Sequence, residues 1–181
     1  MFILVSPFSS IDGFIGFIIK QTTFLTRVFA TNDSLTGLAL RIPAGIIFAA
    51  HGAQKLFGSF GGHGLAGTGQ WMASIGLEPG YLMALAAGSA EFFGGIALLL
   101  GLLTRPAALA LAFTMLVAIF AVHLPNGLFM SNNGYEFGLA LLAVSVALVF
   151  NGGGKLSLDR RLAEMQGRVR SSSSDRVGVT A

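Results

Sequence analysis

The chain has 181 residues, of which 54% are hydrophobic and only 10% are charged, and its formal net charge is +3. A soluble domain carries about 25% charged residues, so this composition and a mean hydropathy of +0.76 predict an integral membrane protein. The chain has no cysteine, which excludes disulfides, thiolate metal sites and thiol chemistry of its own.

The first predicted element is an amphipathic helix in the N-terminal segment, residues 1–34. Over residues 11–30, Lys20, Thr23 and Arg27 fall on one helical face and large apolar side chains fall on the other. This pattern favours a helix that lies in the membrane interface. A fifth membrane span is the alternative. A cleaved signal peptide is disfavoured because no basic segment precedes the apolar part.

Four apolar stretches follow in a transmembrane domain assigned to residues 35–154. A bilayer crossing takes about 20 helical residues, and the candidates are residues 35–57, 81–103, 106–123 and 135–150. Small residues recur every four positions on the first two spans, as close helix packing in lipid requires: Gly45, Ala49 and Ala53, then Ala84 with Gly88 and Ala90 with Gly94. The sequence therefore predicts an all-α, four-transmembrane-helix bundle with an N-terminal interfacial helix.

The connections and the positive charges predict the topology. Only Thr104 and Arg105 join the second and third spans, with Pro106 as the first helical residue, so these two spans must be antiparallel. Ten of the eleven Lys and Arg lie on the N-terminal side, at the Arg105 turn or in the tail, and the loops 58–80 and 124–134 contain none. The positive-inside rule then places both termini in the cytoplasm.

Residues 155–181 form a basic tail that is predicted to be partly disordered. Six of the eleven Lys and Arg lie here beside an apolar domain, which is typical of a juxtamembrane tail and not of a nucleic-acid-binding region. Ser157 is suited to cap a short surface helix, and the terminal sequence SSSSDRVGVTA indicates disorder. We interpret the tail as solubilising, with contact to anionic lipids or to a partner as the alternative.

Each predicted span brings one ionisable side chain towards the outer half of the membrane, in the order His51, Glu91, His123 and Glu136. A charged residue at the centre of a helix costs about 2.5–3.5 kcal/mol on insertion scales, so Glu91, near the middle of its span, requires a partner or a function. Carboxylates and imidazoles can hold and relay protons near neutral pH. These four residues are the predicted catalytic group.

Four further residues are predicted to bind a ligand: Arg41, Gln54, Lys55 and Trp71. Gln54 and Lys55 share a helix face with His51. Trp71 belongs to a short interfacial helix, predicted to be capped by Thr68, that could cover the mouth of the bundle as a lid. No His–Glu pair has the i, i+4 spacing of helical metal motifs, so no metal site is predicted.

Structural explanations compete with these functional ones. Glu91 could form an ion pair with Lys55 or His51 that only fixes the bundle. Lys55 could extend to the interface, and Glu136 could complement the dipole of its helix. The segment Gly62–Gly67, GHGLAG, matches the dinucleotide pattern literally, but it follows a predicted membrane helix instead of a strand, so we reject that function.

Three segments resemble the DoxX (DoxX/DoxD-like) family of small bacterial membrane proteins. They are RIPAGIIFAAHGAQKLFGSFGG, AEFFGGIALLLGLLTRPAAL and NGYEFGLALLAVSVALVFNGGGKLSLD, and together they cover about residues 35–160. The resemblance carries the family pattern onto Arg41, His51, Gly52, Lys55, Gly58, Glu91, Gly94, Gly95, Glu136, Ser157 and Asp159. It implies a four-helix protein of the bacterial inner membrane, linked to quinol oxidase or thiosulfate:quinone oxidoreductase subunits or to oxidative-stress complexes.

The resulting hypothesis is a membrane subunit of a redox system that contacts quinone, or the protons of quinone, through Glu91, His51, Lys55, Glu136 and His123. The sequence shows no redox centre of its own, so this hypothesis requires a catalytic or redox partner protein besides membrane lipids. A homo-oligomer is a further expectation. The alternatives are a non-catalytic assembly or stability factor and a small transporter or proton-pathway component.

Overall fold

The computed structural model describes residues 28–32 and 34–165. In that part of the chain every regular element is helical. The principal helices are α1 (Thr36–Phe57), α2 (Gly64–Ser74), α3 (Gly80–Leu100), α4 (Thr104–Ala118) and α5 (Glu136–Asn151). A sixth helix, α6, begins at residue 158. Most of the predicted amphipathic helix, residues 11–27, and the end of the tail, residues 166–181, lie outside the described residues.

Three of these helices are long and apolar enough to cross a membrane. They are α1 with 22 residues, α3 with 21 residues, and α4 together with the π-helical and 3-10 turns that extend it to Asn126, with 23 residues. Helix α5 is also apolar but has only 16 residues. The predicted spans therefore coincide with helices, and the fourth is the shortest.

The turn between α3 and α4 differs from the prediction. It is made by residues 101–103, with Gly101 at φ 64° and Leu103 at φ 50°, and α4 already begins at Thr104. Pro106 is therefore the third residue of α4 and not the first. The physical reason is a cap from elsewhere in the chain, because the carboxylate of Asp159 accepts the N–H groups of Leu103 at 2.6 Å and Thr104 at 2.8 Å.

Helices α1 and α3 share the most extensive contact in the domain, and it depends on glycine. A methyl group on Gly52 would lie 2.6 Å from the Cα of Phe92, and one on Gly95 would lie 2.8 Å from the carbonyl oxygen of Gly45. The predicted small residue Gly45 is confirmed at this interface, whereas the sequence pattern did not single out Gly52 and Gly95 as packing residues. Close backbone approach replaces the hydrophobic attraction that is absent between helices in lipid.

The two ends of the domain are packed differently. We call them the Arg105 end, where α3 ends and α4 begins, and the Lys55 end, where α1 ends and α3 begins. The largest fully buried side chains lie from the middle of the domain to the Arg105 end: Phe48, Leu98, Leu111, Leu148, Thr104, Asp159 and Ser145. At the Lys55 end, Phe57, Phe60 and His51 are exposed.

A network of hydrogen bonds closes the Arg105 end. The guanidinium of Arg41, which is 2% exposed, donates to the carbonyls of Leu98 at 2.9 Å, Leu99 at 2.5 Å, Gly153 at 3.0 Å and Leu156. These carbonyls belong to the end of α3 and to the segment 152–159 that follows α5. We call Arg41, Asp159 and this segment the latch, since they fasten the chain after α5 to α1, α3 and α4.

Two smaller expectations about helix starts have opposite outcomes. The predicted cap of the tail helix is confirmed, because the hydroxyl of Ser157 accepts the N–H of Arg160 at 3.3 Å where α6 begins. The predicted cap of the interfacial helix is wrong. Helix α2 begins at Gly64, four residues before Thr68, and Thr68 is buried inside it. The left-handed Gly64, at φ 65°, turns the chain into the helix earlier than a hydroxyl cap would.

Replacing Arg41 by lysine tests the latch. Lysine keeps the charge but lacks the planar fork of donors that reaches both chain segments, and each buried carbonyl left without a partner costs about 1–3 kcal/mol. We expect Arg41→Lys to lower the unfolding midpoint of the detergent-solubilised protein strongly. The matched control is Arg105→Lys, because Arg105 also donates to two carbonyls, those of Ala30 and Phe150, but at an exposed position. Equal losses in the two variants would contradict the latch.

Candidate functional site

Glu91 is held in the interior of the domain by the pattern of helix α3. The buried stripe of α3 runs through Ala84, Gly88, Glu91, Gly95 and Leu98, at the three- and four-residue spacing that keeps side chains on one helix face. Glu91 is only 3% exposed. A carboxylate at such a position is costly unless it is paired and hydrogen-bonded.

Lys55, near the end of α1, provides that partner. Its Nζ lies 2.6 Å from Oε2 of Glu91, and the lysine side chain is 23% exposed against 4% for the glutamate. The backbones are close enough for this contact because Gly88, one turn before Glu91, packs against the Cβ of Lys55 and the side chain of Leu56. Of the two ion-pair partners considered from the sequence, Lys55 is the one that contacts Glu91.

His51 lies one turn before Lys55 on α1 and reaches the surface. The preceding residues of the same stripe, Arg41, Ala44 and Phe48, are all at most 3% exposed, whereas His51 is exposed. The charges of Lys55 and Glu91 both act on its imidazole. The buried stripe of α1 thus reaches the surface at His51. We call His51, Lys55 and Glu91 the Lys55 site.

An aromatic side chain from α5 lies next to His51. The ring centroid of Phe137, the second residue of α5, lies 6.3 Å from that of His51, and the two ring planes are tilted by 50°. Phe137 is 37% exposed. Sequence reasoning missed this residue. The only signal was its position next to Glu136, at the depth predicted for His51.

His123 and Glu136 lie apart from the Lys55 site. The Nδ1 atom of His123 is 2.8 Å from the carbonyl oxygen of Asn133, and the carboxylate of Glu136 accepts the N–H of Met130 at 2.6 Å. Both residues therefore hold the loop between α4 and α5. Over the described ranges, no three His, Asp or Glu side chains lie close enough to share a metal ion, so the four predicted ionisable residues do not form one cluster.

The predicted ligand-binding residues are also separated. Only Lys55 belongs to the Lys55 site. Gln54 donates to the carbonyl of Phe60 at 3.3 Å in the following loop, and Trp71 is 44% exposed on α2. Arg41 lies at the opposite end of the domain, where its guanidinium binds the four carbonyls of the latch.

The long apolar helices and the buried ion pair between two of them define a helical membrane protein. The DoxX family model matches residues 36–124, which run from the start of α1 to two residues before the end of the extended α4. The chain belongs to the DoxX family.

Two relatives with functional or location names support this assignment. The chain is 38% identical over 122 residues to "Putative oxidoreductase CatD" of Bacillus subtilis, a match that covers 67% of this chain and 83% of that protein. It is 37% identical over 131 residues to the inner membrane protein YqjF of Escherichia coli, covering 69% of this chain and 90% of YqjF.

A third relative, an uncharacterized membrane protein of Mycobacterium tuberculosis, is 32% identical over 138 residues, covering 70% of this chain and 81% of that protein. No solved structure matches the chain.

The two charges of the ion pair are expected to have unequal effects on stability. Lys55→Met leaves the nearly inaccessible carboxylate of Glu91 without its partner, and breaking a buried pair in this way costs about 3–5 kcal/mol. Glu91→Leu leaves a lysine that is partly exposed and can extend to the surface, so it should cost less. The double variant Lys55→Met/Glu91→Leu removes both charges and should recover most of the loss.

The measurement is the unfolding midpoint of the four proteins in one detergent. A double variant whose loss equals the sum of the single losses would show that the two side chains are not coupled.

Proposed function

We propose that the protein is a multi-pass subunit of a redox system in the bacterial inner membrane, and that the Lys55 site binds the head group of a quinone or quinol. In this proposal α1, α3, the extended α4 and α5 all cross the membrane as a four-helix bundle. Both termini and the Arg105 end face the cytoplasm, and the Lys55 site lies in the outer half of the bilayer.

The topology part rests on the distribution of charge. Arg41, Arg105 and the described basic residues after α5 (Lys155, Arg160 and Arg161) gather at one end of the domain, and positively charged segments are retained on the cytoplasmic side. Helix α5 is short for a span, but the bilayer accommodates a short helix by local thinning and by flanking polar residues.

Reporter fusions test this topology. Green fluorescent protein does not become fluorescent when it is exported through the general secretory route, so it reports cytoplasmic positions. It should be fluorescent when fused after residue 181 and not fluorescent when fused after Gly76. Alkaline phosphatase, which needs the periplasm, should show the opposite pattern at the same two positions. An active phosphatase after residue 181 would overturn the proposed orientation, and equal activity at both positions would contradict the odd number of crossings between them.

The quinone part rests on one observation, the buried carboxylate of Glu91 paired with Lys55 one helical turn from an exposed imidazole. Quinone is a lipid-soluble ring with two carbonyl acceptors. The ammonium of Lys55 and a ring N–H of His51 are the donors such acceptors need, and a carboxylate in the low dielectric of the interior can accept or release a proton. All three groups lie at the Lys55 end of the domain, and His51 and Lys55 both reach the surface.

The reaction would require a partner. Reduction of a quinone to a quinol consumes two electrons and two protons, and in this proposal the electrons come from a redox partner protein. The Lys55 site would orient the ring and supply or remove protons. The name of the relative CatD, "Putative oxidoreductase CatD", agrees with a redox role.

A second candidate function is an assembly or stability factor without chemistry of its own. It is favoured by the close Lys55–Glu91 contact of 2.6 Å, because a saturated ion pair is also a means of fixing two helices. The charge-removed double variant Lys55→Met/Glu91→Leu separates the two candidates, since it should keep the fold and lose the polar groups.

Quinone binding to these proteins is the deciding experiment. Trp71 is the only tryptophan in the chain, so quenching of its fluorescence by a short-chain ubiquinone in detergent reports binding. We expect saturable quenching in the wild type and only non-saturable quenching in the double variant. The variant Trp71→Phe identifies background signal.

Two results would count against the quinone function. Absence of saturable binding in the wild type, with both a short-chain ubiquinone and a short-chain menaquinone, would reject it. Unchanged binding by a folded double variant would place the ligand elsewhere and favour a purely structural ion pair.

A further inference from the structure

We propose that Phe137 is the aromatic platform against which the ligand ring packs at the Lys55 site, so that this residue sets the preference for flat ring ligands. The inference rests on the proposed quinone function and adds a specificity-determining residue to it. It concerns a side chain that supplies neither charge nor hydrogen bond.

The position of Phe137 carries the inference. Its ring contacts His51 at a centroid distance of 6.3 Å, and both side chains are accessible at the surface. Lys55 lies one turn further along α1, and its ammonium contacts Glu91 across on α3. A ring bound beside His51 therefore has the ring of Phe137 on one side and the ion pair within about one helical turn.

The relative orientation of the two rings is compatible with a third ring beside Phe137. Their planes meet at 50°, so His51 and Phe137 are not stacked on each other. Aromatic pairs prefer offset-stacked or edge-to-face arrangements with centroids 4.5–7 Å apart. A flat ligand can take up such an arrangement with Phe137 while its carbonyl groups point towards His51 and Lys55.

Other exposed aromatic side chains of the described chain lack this relation to the site. Phe57 and Phe93 both pack edge-to-face on Phe92. Phe150, which is 73% exposed, lies at the far end of α5, where its carbonyl accepts a hydrogen bond from the guanidinium of Arg105. Among the ring contacts of the described residues, the one with Phe137 is the contact that includes a member of the Lys55 site.

The backbone that carries Phe137 is fixed before any ligand arrives. The N–H of Glu136 donates to the carbonyl of Leu128 at 2.9 Å, and its carboxylate accepts the N–H of Met130 at 2.6 Å. The N–H of Tyr135 donates to the carbonyl of Gly127 at 3.1 Å. Glu136 therefore acts here as a positioning residue, and a preordered platform lowers the entropy lost on binding.

The test compares two phenylalanines on the same helix. Phe137→Leu keeps an apolar side chain but removes the ring, and we expect the Kd for a short-chain ubiquinone, measured by Trp71 quenching, to rise about 3- to 10-fold, the range of an aromatic pair. Phe137→Tyr retains the ring and should keep the Kd within about twofold. The matched control Phe150→Leu, at the Arg105 end, should leave the Kd unchanged.

The outcomes distinguish this inference from the function it rests on. Wild-type Kd values in a folded Phe137→Leu variant, while Lys55→Met/Glu91→Leu loses binding, would overturn the platform and leave the quinone site intact. An equal loss in Phe150→Leu would also overturn it. Should Phe137→Leu fail to fold, Phe137→Met provides the same measurement with a flexible apolar side chain. A wild type without saturable binding would overturn both proposals.

Discussion

Buried polar groups in a membrane-spanning domain need partners within the protein, because hydrocarbon offers none, and the latch provides such partners for backbone groups at the Arg105 end. At the Arg105 end one helix stops, another starts within three residues, and a third passes into an irregular segment, so backbone donors and acceptors are left without helical partners. Arg41 supplies donors to four carbonyls, and Asp159 supplies acceptors to two N–H groups. Arg41 thus pairs the carbonyls that are left without helical partners, and Asp159 pairs the N–H groups. The tight turn between α3 and α4 depends on both.

Tight packing at the Arg105 end stabilises the domain, so the Lys55 end can contain charged side chains. Large side chains are completely buried from the middle of the domain to the latch, so the packing that holds the helices together lies away from the ionisable groups. At the other end the stripe of α1 reaches the surface at His51, and the contact between α1 and α3 includes a charge pair beside the apolar contact of Phe57 with Phe92. Buried charges contribute little net stability, so packing elsewhere in the domain must stabilise a membrane protein that contains a polar site.

Sequence reasoning was reliable where the signal is local and failed where the structure joins distant residues. Hydropathy placed the four apolar helices within a few residues, since burial in lipid requires a continuous apolar run. The tight turn was displaced because its cap comes from Asp159, which lies 55 residues after Thr104. The pairing of Glu91 with Lys55 was one of two alternatives, and composition alone could not choose between them. Phe137 was missed, since its proximity to His51 depends on how α5 packs against α1. The roles of the predicted site residues remain predictions.

The reach of Asp159 back to the start of α4 also sets an order of events during synthesis. A ribosome that has completed α4 has not yet made the residue that caps it, nor the carbonyls of Gly153 and Leu156 that share the guanidinium of Arg41. Until the last part of the domain is translated, the beginning of α4 and the side chain of Arg41 must be satisfied by water or by the insertion machinery. The domain therefore reaches its final packing only after all of its apolar helices have been made. A nascent chain that stops short of residue 159 lacks the carboxylate that pairs the N–H groups of Leu103 and Thr104.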